Sequence, residues 1–374
     1  MGILILGFPR DIHLHAVRWA LDRIGARHEA LYTPDLPQLL RASIQMGPST
    51  TPTASFRAGE TRGATGDYDV VWFRRGGLTM RPPGMIDADW MVAERECDHH
   101  VRALRRFLAP RAYWINDIEA RERAMLKAPQ LAAAMDCGLA IPETLFSNEP
   151  DDIRHFYAAH RDAGVIFKLC IQTHWHEQAT GARHALYTTE LRAEDLRDDE
   201  ALYHCPAIYQ RKVEKAYELR VTCMDQVCYA ARLDSQTRAK TRMDWRADLA
   251  KPLTPTRVEL PRDVEERCLA LMRTLGLAFG CIDLIVTPAG EHVFLEVNEM
   301  GQFLWVEMRE PACPLLRAFA TLLTEGGLDR SSKLAGGDDV SYAAFLASGA
   351  WERATAEDDA KHTAYAVPGL VTEA

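Results

Sequence analysis

The sequence predicts an α/β (α+β) protein of several lobes, and three observations carry that prediction. Short apolar runs of strand length alternate with segments of helical period, from Ile3–Leu6 to Phe294–Val297. The 374 residues exceed what one small core holds, so two or three packed lobes are expected. Hydrophobic residues make up 47% and charged residues 26%, the balance of an ordinary globular chain.

Net charge is −9, from 44 Lys and Arg against 53 Asp and Glu. No excess of basic residues exists to displace counterions, so general nucleic-acid binding is not expected. A local basic cleft for ATP or an acidic peptide stays compatible with this balance. Met1–Leu6 is too short for a signal-peptide core, and no run approaches transmembrane length. Nine cysteines without a CxxC pair suggest reduced thiols in the cytoplasm, with no membrane partner. Cys223 and Cys228 flank a probable turn, and no disulfide is expected between them.

The first 115 residues read as an α/β unit. Ile3–Leu6 and Val70–Phe73 are strand-like, and His13–Ile24 and Asp89–Leu108 carry helical periodicity. Residues 47–67 are so rich in Gly, Pro, Ser and Thr that a loop or loose hairpin is expected. After the short strand Tyr113–Ile115, Asn116 takes the place of a helix N-cap, with Glu119 in capping-box position. Pro129 is expected at the first position of a second helix, Pro129–Cys137, which leaves Lys127 at the junction of two helices. Asp151–His160 is helical, Val165–Leu169 is a strand, and 172–182 is a polar loop. Ala207–Val213, Leu219–Met224 and Val227–Leu233 predict an antiparallel meander. Asp263–Leu275 and Leu315–Leu323 are helices. The pattern divides the chain into 1–115, 116–205, 206–330 and 331–374, the last a weakly anchored appendage.

Neither a GxxxxGK[ST] loop nor a GxGxxG fingerprint occurs, so any nucleotide must be held by other means. Gly280–Leu284 and Phe294–Asn298 flank Pro288-Ala289-Gly290 as a β-hairpin. Glu296 and Asn298 lie two apart and share a face, and Asp283 lies on the adjacent strand. Two carboxylates and an amide oxygen make a hard donor set, suited to Mg²⁺ held together with substrate phosphates. Solvated strand ends are the plainer reading, but unpaired carboxylates inside apolar strands are costly. Lys168 stands in an apolar run, where a lysine needs a partner or must snorkel. Gln210, Arg211, Lys212 and Val213 form a connector whose backbone groups suit an adenine edge. Glu218 and Arg220 face one side of a strand, Arg220 as a phosphoryl clamp or as half of a surface ion pair. Arg74 and Arg75 end a strand and either meet an acidic peptide or are solvated. The segment Gln172–Glu177, ending near Gly181, is the candidate lid; its His174 and His176 lack the further ligands zinc needs.

Lys127, Lys168, Tyr217–Val221, Asp283 and Glu296–Asn298 stand in the order found in ATP-grasp ligases. Trp72–Arg75, Trp114–Asn116, Ala216–Arg220, Ala231–Gln236 and Asn298–Glu307 resemble more narrowly the graspetide synthetases, the microviridin-type ATP-grasp peptide maturases. The Asn-x-x-Gly-Gln-aromatic-Leu-Trp segment is the most specific of these. The resemblance implies an ATP-grasp fold: an N-terminal α/β pre-ATP-grasp domain, a central domain and a C-terminal antiparallel-sheet domain. It implies an ATP- and Mg²⁺-dependent macrocyclase acting on a ribosomally made precursor peptide of leader plus core. A side-chain carboxylate becomes an acyl phosphate and is closed onto a hydroxyl or amine, as macrolactone or macrolactam. By the same resemblance Lys127, Lys168, Gln210, Arg211, Lys212, Val213 and Glu218 would hold the nucleotide, and Asp283, Glu296 and Asn298 the metal. Arg220, Lys168 and Arg232 would be catalytic, and Arg74, Arg75, Asp234 and Arg246 would meet the peptide. A homodimer is implied too. Two departures stand out: Arg211 where many ATP-grasp proteins carry an acid near the adenine, and Glu299 where related chains often have Pro. The alternatives are an intermolecular ligase like the glutathione synthetases or ribosomal-protein glutamyl ligases, and a non-catalytic ATP-binding regulatory module.

Overall fold

The computed structural model describes residues 1–362 apart from 78, 172, 173, 177–182, 186, 249 and 338, and only the backbone of 174–176 and 183–185. The chain opens on β1 (Ile3–Gly7), whose five residues are all buried. Helix α1 (Ile12–Arg23) follows, its first turn capped by the Asp11 carboxylate, which accepts from the His13 and Leu14 amides. Strand β2 (His28–Tyr32) pairs with β1 in parallel. A second, antiparallel sheet then forms from β3 (Leu40–Gly47), β4 (Thr50–Ala58) and β5 (Thr61–Ala64). Of the two expectations for 47–67 the hairpin holds, as β4 and β5 turning at residues 59 and 60, and β3 extends it to a three-stranded sheet. Ala54 and Phe56 point inward while Ser55 and Arg57 point out, a period of two that the Gly, Ser and Thr content masks. Strands β6 (Val70–Phe73) and β7 (Tyr113–Ile115) complete the first sheet in the order β2-β1-β6-β7, with α2 (Asp87–Leu108) between them in sequence. Side chains from α1 cover one face of this sheet and side chains from α2 the other. A parallel sheet covered on both faces is why β1 and β6 read as unbroken apolar runs.

Helices α3 (Ile118–Ala124) and α4 (Lys127–Asp136) follow. Asp117, not Asn116, caps α3, accepting from the Glu119 and Ala120 amides. Asn116 instead reaches across to the C-terminal sheet. Its Nδ2 donates to the carbonyls of Phe279 and Glu299, each at 2.7 Å, and its Oδ1 accepts from the Phe279 amide at 2.9 Å. Helix α4 begins at Lys127, so Pro129 sits in its first turn rather than at its first position. Then come β8 (Thr144–Ser147), α5 (Pro150–Ala159), β9 (Val165–Lys168), the paired β10 (His174–His176) and β11 (Arg183–Ala185), β12 (Thr189–Glu190), α6 (Asp199–Tyr203) and β13 (Ala207–Arg211). The central sheet has the order β12-β9-β13-β8. Strand β13 therefore belongs here and not to a meander with the strands that follow. Its Ala207 and Tyr209 need the cover that Ile153 and Val165 supply.

The C-terminal sheet is antiparallel: β14 (Tyr217–Met224), β15 (Val227–Leu233), β16 (Thr256–Val258), β17 (Phe279–Val286) and β18 (His292–Asn298), in the order β16-β15-β14-β17-β18. Helix α7 (Arg262–Leu275) backs it. Cys223 and Cys228 face each other across β14 and β15 with their sulfurs 3.1 Å apart, both as free thiols. Helix α8 (Leu304–Arg309) leads to α9 (Leu315–Glu325), which wedges between the first and last sheets. Phe319 on α9 touches Trp72 of one sheet and Phe279 of the other, with ring centroids 4.8 and 4.9 Å apart. The wedge merges two lobes into one core.

The described residues between 331 and 362 are no loose appendage. Val340, Tyr342 and Phe345, the last two on α10 (Tyr342–Ala347), are buried in that same core. Helix α11 (Ala350–Lys361) ends in a polar clasp: Asp358 accepts from His15 Nε2 at 2.8 Å and from the Arg10 amide at 2.7 Å. His362 Nε2 lies 3.0 Å from Asp35. The acidic, Ala-rich text of α11 concealed this, because its anchors are polar. Among the described residues, no helix is long and apolar enough to cross a membrane. Asn116→Ala leaves three buried backbone groups without partners, so it is expected to cost roughly 3 kcal/mol or more, read from the midpoint of urea unfolding.

Candidate active site

The central and C-terminal sheets face each other across a cavity of about 610 Å³. Strand period decides what lines it. On β9 and β13, Lys168 lies opposite Ile208 and Ile166 opposite Gln210, so these four share the cavity face. On the other wall Glu218 pairs with Ile285, Arg220 with Asp283, and Asp283 with Glu296. Asn298, two residues beyond Glu296, keeps the same face. A bulge between Asp283 and Leu284 breaks the register beside this rung.

Asp283 and Glu296 are thus like charges directly opposite each other, an arrangement that destabilises a sheet unless cations balance it. Cations are in place. Arg220 Nη1 donates to both Asp283 oxygens, at 2.9 and 3.0 Å, and its Nη2 to the Gln302 carbonyl at 3.1 Å. The Lys127 ammonium is paired with Glu296. Gln130, one turn further along α4, bonds both the amide and the carbonyl of Val297 and so pins the helix to β18. Burial raises the Glu296 carboxyl, but Lys127, Arg246 and Lys168 outweigh it and hold it down at about 2. Asp283 is the less compensated partner: burial, together with the Glu296 charge, pushes it up despite Arg220. A divalent cation relieves that imbalance. The set of two carboxylates and one amide fits magnesium completed by phosphate oxygens, and among the described residues no cluster of three His, Cys, Asp or Glu side chains makes a self-sufficient metal cage.

Lys168 is a partly buried cation with no carboxylate of its own among the described residues. Burial, reinforced by the neighbouring positive charges, lowers its ammonium to about 8, although Glu296 opposes the drop. Nearby, Lys215 Nζ donates to Glu218 at 3.0 Å and to the Met243 carbonyl at 2.9 Å. Burial raises Glu218, offset by Lys215. Arg246 bonds Asp244 through Nε and Nη2, and its charge reaches Glu296 and Asp283. The indole of Trp245 lines the cavity and stacks on Trp305, centroids 5.0 Å apart. Trp305 Nε1 donates to the same Gln302 carbonyl that receives Arg220.

Other proteins share this architecture. The macrocyclase MdnC of Microcystis aeruginosa MRC, bound with precursor peptide MdnA, superposes with a TM-score of 0.76 at 27% identity, covering 87% of this chain and 100% of its own. The RiPP-associated ATP-grasp ligase of Chryseobacterium gregarium, in complex with ADP and a leader and core peptide, gives a TM-score of 0.79 at 25% identity over 89% of this chain and 99% of its own. MdnB, a second Microcystis aeruginosa MRC macrocyclase, gives 0.70 at 26% over 86% and 98%. The protein is an ATP-grasp ligase. No protein-family model matches the chain, and no curated protein does.

In the ligase, Lys127, Lys168, Gln210, Arg211, Lys212, Val213, Glu218, Arg246, Asp283, Glu296 and Asn298 all line the one cavity. Five other residues singled out in the sequence stand elsewhere. Arg232 pairs across the strands with Leu219, so it projects from the opposite face to Arg220. Its guanidinium lies over the Tyr217 ring, 3.9 Å from the centroid, and bonds Asp234. Asp234 is exposed and engaged with Arg232 rather than with the cavity. Arg74 is 1% exposed, its Nε on Asp11 and its Nη1 on the carbonyls of Met300 and Gly301 at 2.7 and 3.1 Å. Arg75 joins the same carboxylate at 3.4 Å. Arg74 thus belongs to a brace that grips the loop after β18, while the half-buried Arg75 lies over the Phe8 ring, 5.3 Å from its centroid. Arg220 has both terminal nitrogens engaged and holds Asp283 from behind, which makes it a positioning residue. The candidate lid, 172–182, lies outside the described residues apart from the backbone of β10.

The sequence reading passed over Gln130, Lys215 and Trp245. Only Trp245 left a signal, an indole in an otherwise polar stretch. Arg220→Ala strands a buried carboxylate and is expected to cost about 3–5 kcal/mol. Arg232→Ala removes only a half-exposed contact and is expected to cost about 1 kcal/mol or less, both read by urea unfolding.

Proposed function

We propose that the ligase is a peptide macrocyclase that closes side-chain rings, as esters or amides, in a ribosomally made precursor peptide. The observation that carries this reading is the cavity in which Lys168, without a carboxylate partner among the described residues, faces the Asp283, Glu296 and Asn298 rung. A partly buried cation beside an under-neutralised carboxylate, Asp283, suits a magnesium-bound polyphosphate. The near-complete overlap with precursor-bound relatives supports a peptide as the second substrate.

The chemistry follows from these charges. A peptide carboxylate attacks the γ-phosphorus of ATP, the bond to the β-phosphate oxygen breaks, and ADP leaves. A hydroxyl or amine of the same peptide then attacks the acyl carbon, gives up its proton, and expels phosphate. Each ring removes one water from the peptide in net terms. Magnesium on Asp283, Glu296 and Asn298 would offset the repulsion between the triphosphate and the incoming carboxylate. Lys168 and Lys127 would hold phosphate oxygens, and Arg220 holds Asp283 in place while opposing the upward push of burial on its carboxyl. Gln210 Oε1 is buried without a hydrogen-bond partner among the described residues and suits the amino group of adenine. Arg246 and the Trp245–Trp305 stack flank the phosphoryl end, where the peptide carboxylate must arrive. The microviridin-type product and the homodimer join this proposal on the resemblance alone.

The deciding experiment incubates the ligase with Mg-ATP and a short Ser/Thr- and Asp/Glu-bearing peptide, sought among the reading frames that neighbour its gene. Intact mass is expected to fall by one water per ring. Lys168→Ala and Glu296→Gln are each expected to abolish that loss while circular dichroism stays native. Undiminished ring closure by either variant refutes its role, and no closure by the wild type refutes the macrocyclase reading.

Lys168 adds a pH signature. In the free protein its ammonium is held near 8, and a bound polyphosphate favours the charged form. ADP affinity, measured without metal, is therefore expected to be flat below about 8 and to decline above it, with proton uptake on binding. Calorimetry in buffers of different ionisation enthalpy reads that uptake, and Lys168→Met is expected to remove it.

A further inference from the structure

The sheet of β3, β4 and β5 has two unlike faces. Leu40, Ala54 and Phe56 pack inward beside Tyr68 and the side chains of α2. Gly63 of β5 leaves no room for a side chain beneath Phe56 and Tyr68, which keeps the inner face tight. The outer face is basic. The register sets Arg41 directly opposite Arg57, and Arg57 directly opposite Arg62. Ser43 and Ser55 form the next rung.

Opposed side chains on neighbouring strands stand about 5 Å apart at Cβ, and like charges so placed destabilise a sheet. All three arginines are exposed, and among the described residues none is ion-paired. Asp67, at the foot of the row, directs Oδ2 to the Ala64 amide at 2.7 Å. A groove of about 490 Å³ runs over the row, lined by Arg41, Ser43, Ser55, Arg57, Arg62 and Asp67. Strands β3 to β5 themselves carry no acidic residue.

We infer that this outer face is a docking site for an acidic stretch of polypeptide. Three planar guanidinium forks spaced by the strand separation span about 10 Å, enough for two carboxylates on one face of an extended chain. The serine hydroxyls beside them offer hydrogen bonds to that chain. Nucleic acid is the poorer fit, because the one aromatic ring of these strands, Phe56, points inward and the protein carries a net charge of −9. None of these residues lines the ATP cavity, so the inference does not rest on the macrocyclase reading.

The test titrates fluorescein-labelled deca-glutamate onto the full-length protein and follows anisotropy over a range of salt. Wild type is expected to bind with an affinity that falls as salt rises. The triple variant Arg41→Ser, Arg57→Ser, Arg62→Ser is expected to bind at least about tenfold more weakly. Arg262→Ser, on the exposed face of α7, and Lys168→Ala, in the cavity, are expected to bind as wild type does. Without peptide, Arg57→Ser is expected to melt no lower than wild type, because it removes the middle charge of the row; this separates lost binding from lost folding. Equal binding by the triple variant overturns the inference, as does loss of binding in Lys168→Ala. A DNA oligonucleotide or phosphatidylserine vesicles that displace the peptide at lower charge concentration overturn it too.

Discussion

The site depends on one rung of one sheet, where β17 and β18 set Asp283 opposite Glu296. Two carboxylates at that spacing repel, and burial makes the repulsion harder to screen. The surroundings are arranged around that cost. Arg220 comes from the neighbouring strand β14 at the same level, because the register places it opposite Asp283. Lys127 comes from the start of α4, which Gln130 ties to β18 by two backbone hydrogen bonds. With each acid given its own cation, the sheet tolerates the pair. Glu296 is held down by its cations, while Asp283, pushed up by burial and the Glu296 charge, is the acid that a hard metal ion relieves.

The same rung is held from the far side by the N-terminal lobe. β18 ends at Asn298, and the next five residues thread into a buried polar brace. Arg74 takes the carbonyls of Met300 and Gly301, Asn116 takes that of Glu299, and His13 Nε2 accepts from the Phe303 amide at 3.3 Å. Arg121 Nε meets the Glu299 carboxylate at 3.3 Å. Every one of these donors and acceptors satisfies a backbone group or charge that burial would otherwise leave stranded. Glu299 is therefore a bridge between lobes, which gives a physical use to the residue that departs from the proline often found there.

How far the text of the chain reveals this follows from the range of each interaction. Asp283, Glu296, Asn298 and Lys168 were legible because strand period and apolar neighbours are local, and a charge in an apolar strand stands out in one dimension. Arg74 was misread for the opposite reason. Its carboxylate partner Asp11 lies 63 positions away and its carbonyl partners more than two hundred, and a buried arginine and a substrate-facing one look alike in sequence. Arg232 was named on the resemblance, which carries no strand parity; its register opposite Leu219 sets it on the other face from Arg220. The extent of the sheet β3 to β5 was hidden by small polar residues. The C-terminal helices were hidden because their anchors, Asp358 and His362, are polar.

The two places where this protein opposes like charges in register make a useful contrast. At Asp283 and Glu296 the repulsion is answered inside the chain, by Arg220 and Lys127, and what remains is a modest deficit at Asp283 that a metal ion suits. At Arg41, Arg57 and Arg62 no carboxylate of the described residues answers it. Solvent screens an exposed row far better than a buried one, so the sheet survives without partners, at lower stability than a mixed-charge face would give it. A strained but tolerated charge row gains most when an oppositely charged surface arrives, because binding then removes repulsion as well as adding attraction. The buried rung and the exposed row are thus the same device at two depths. In one the counter-charge is mostly supplied by the fold; in the other it must come from outside.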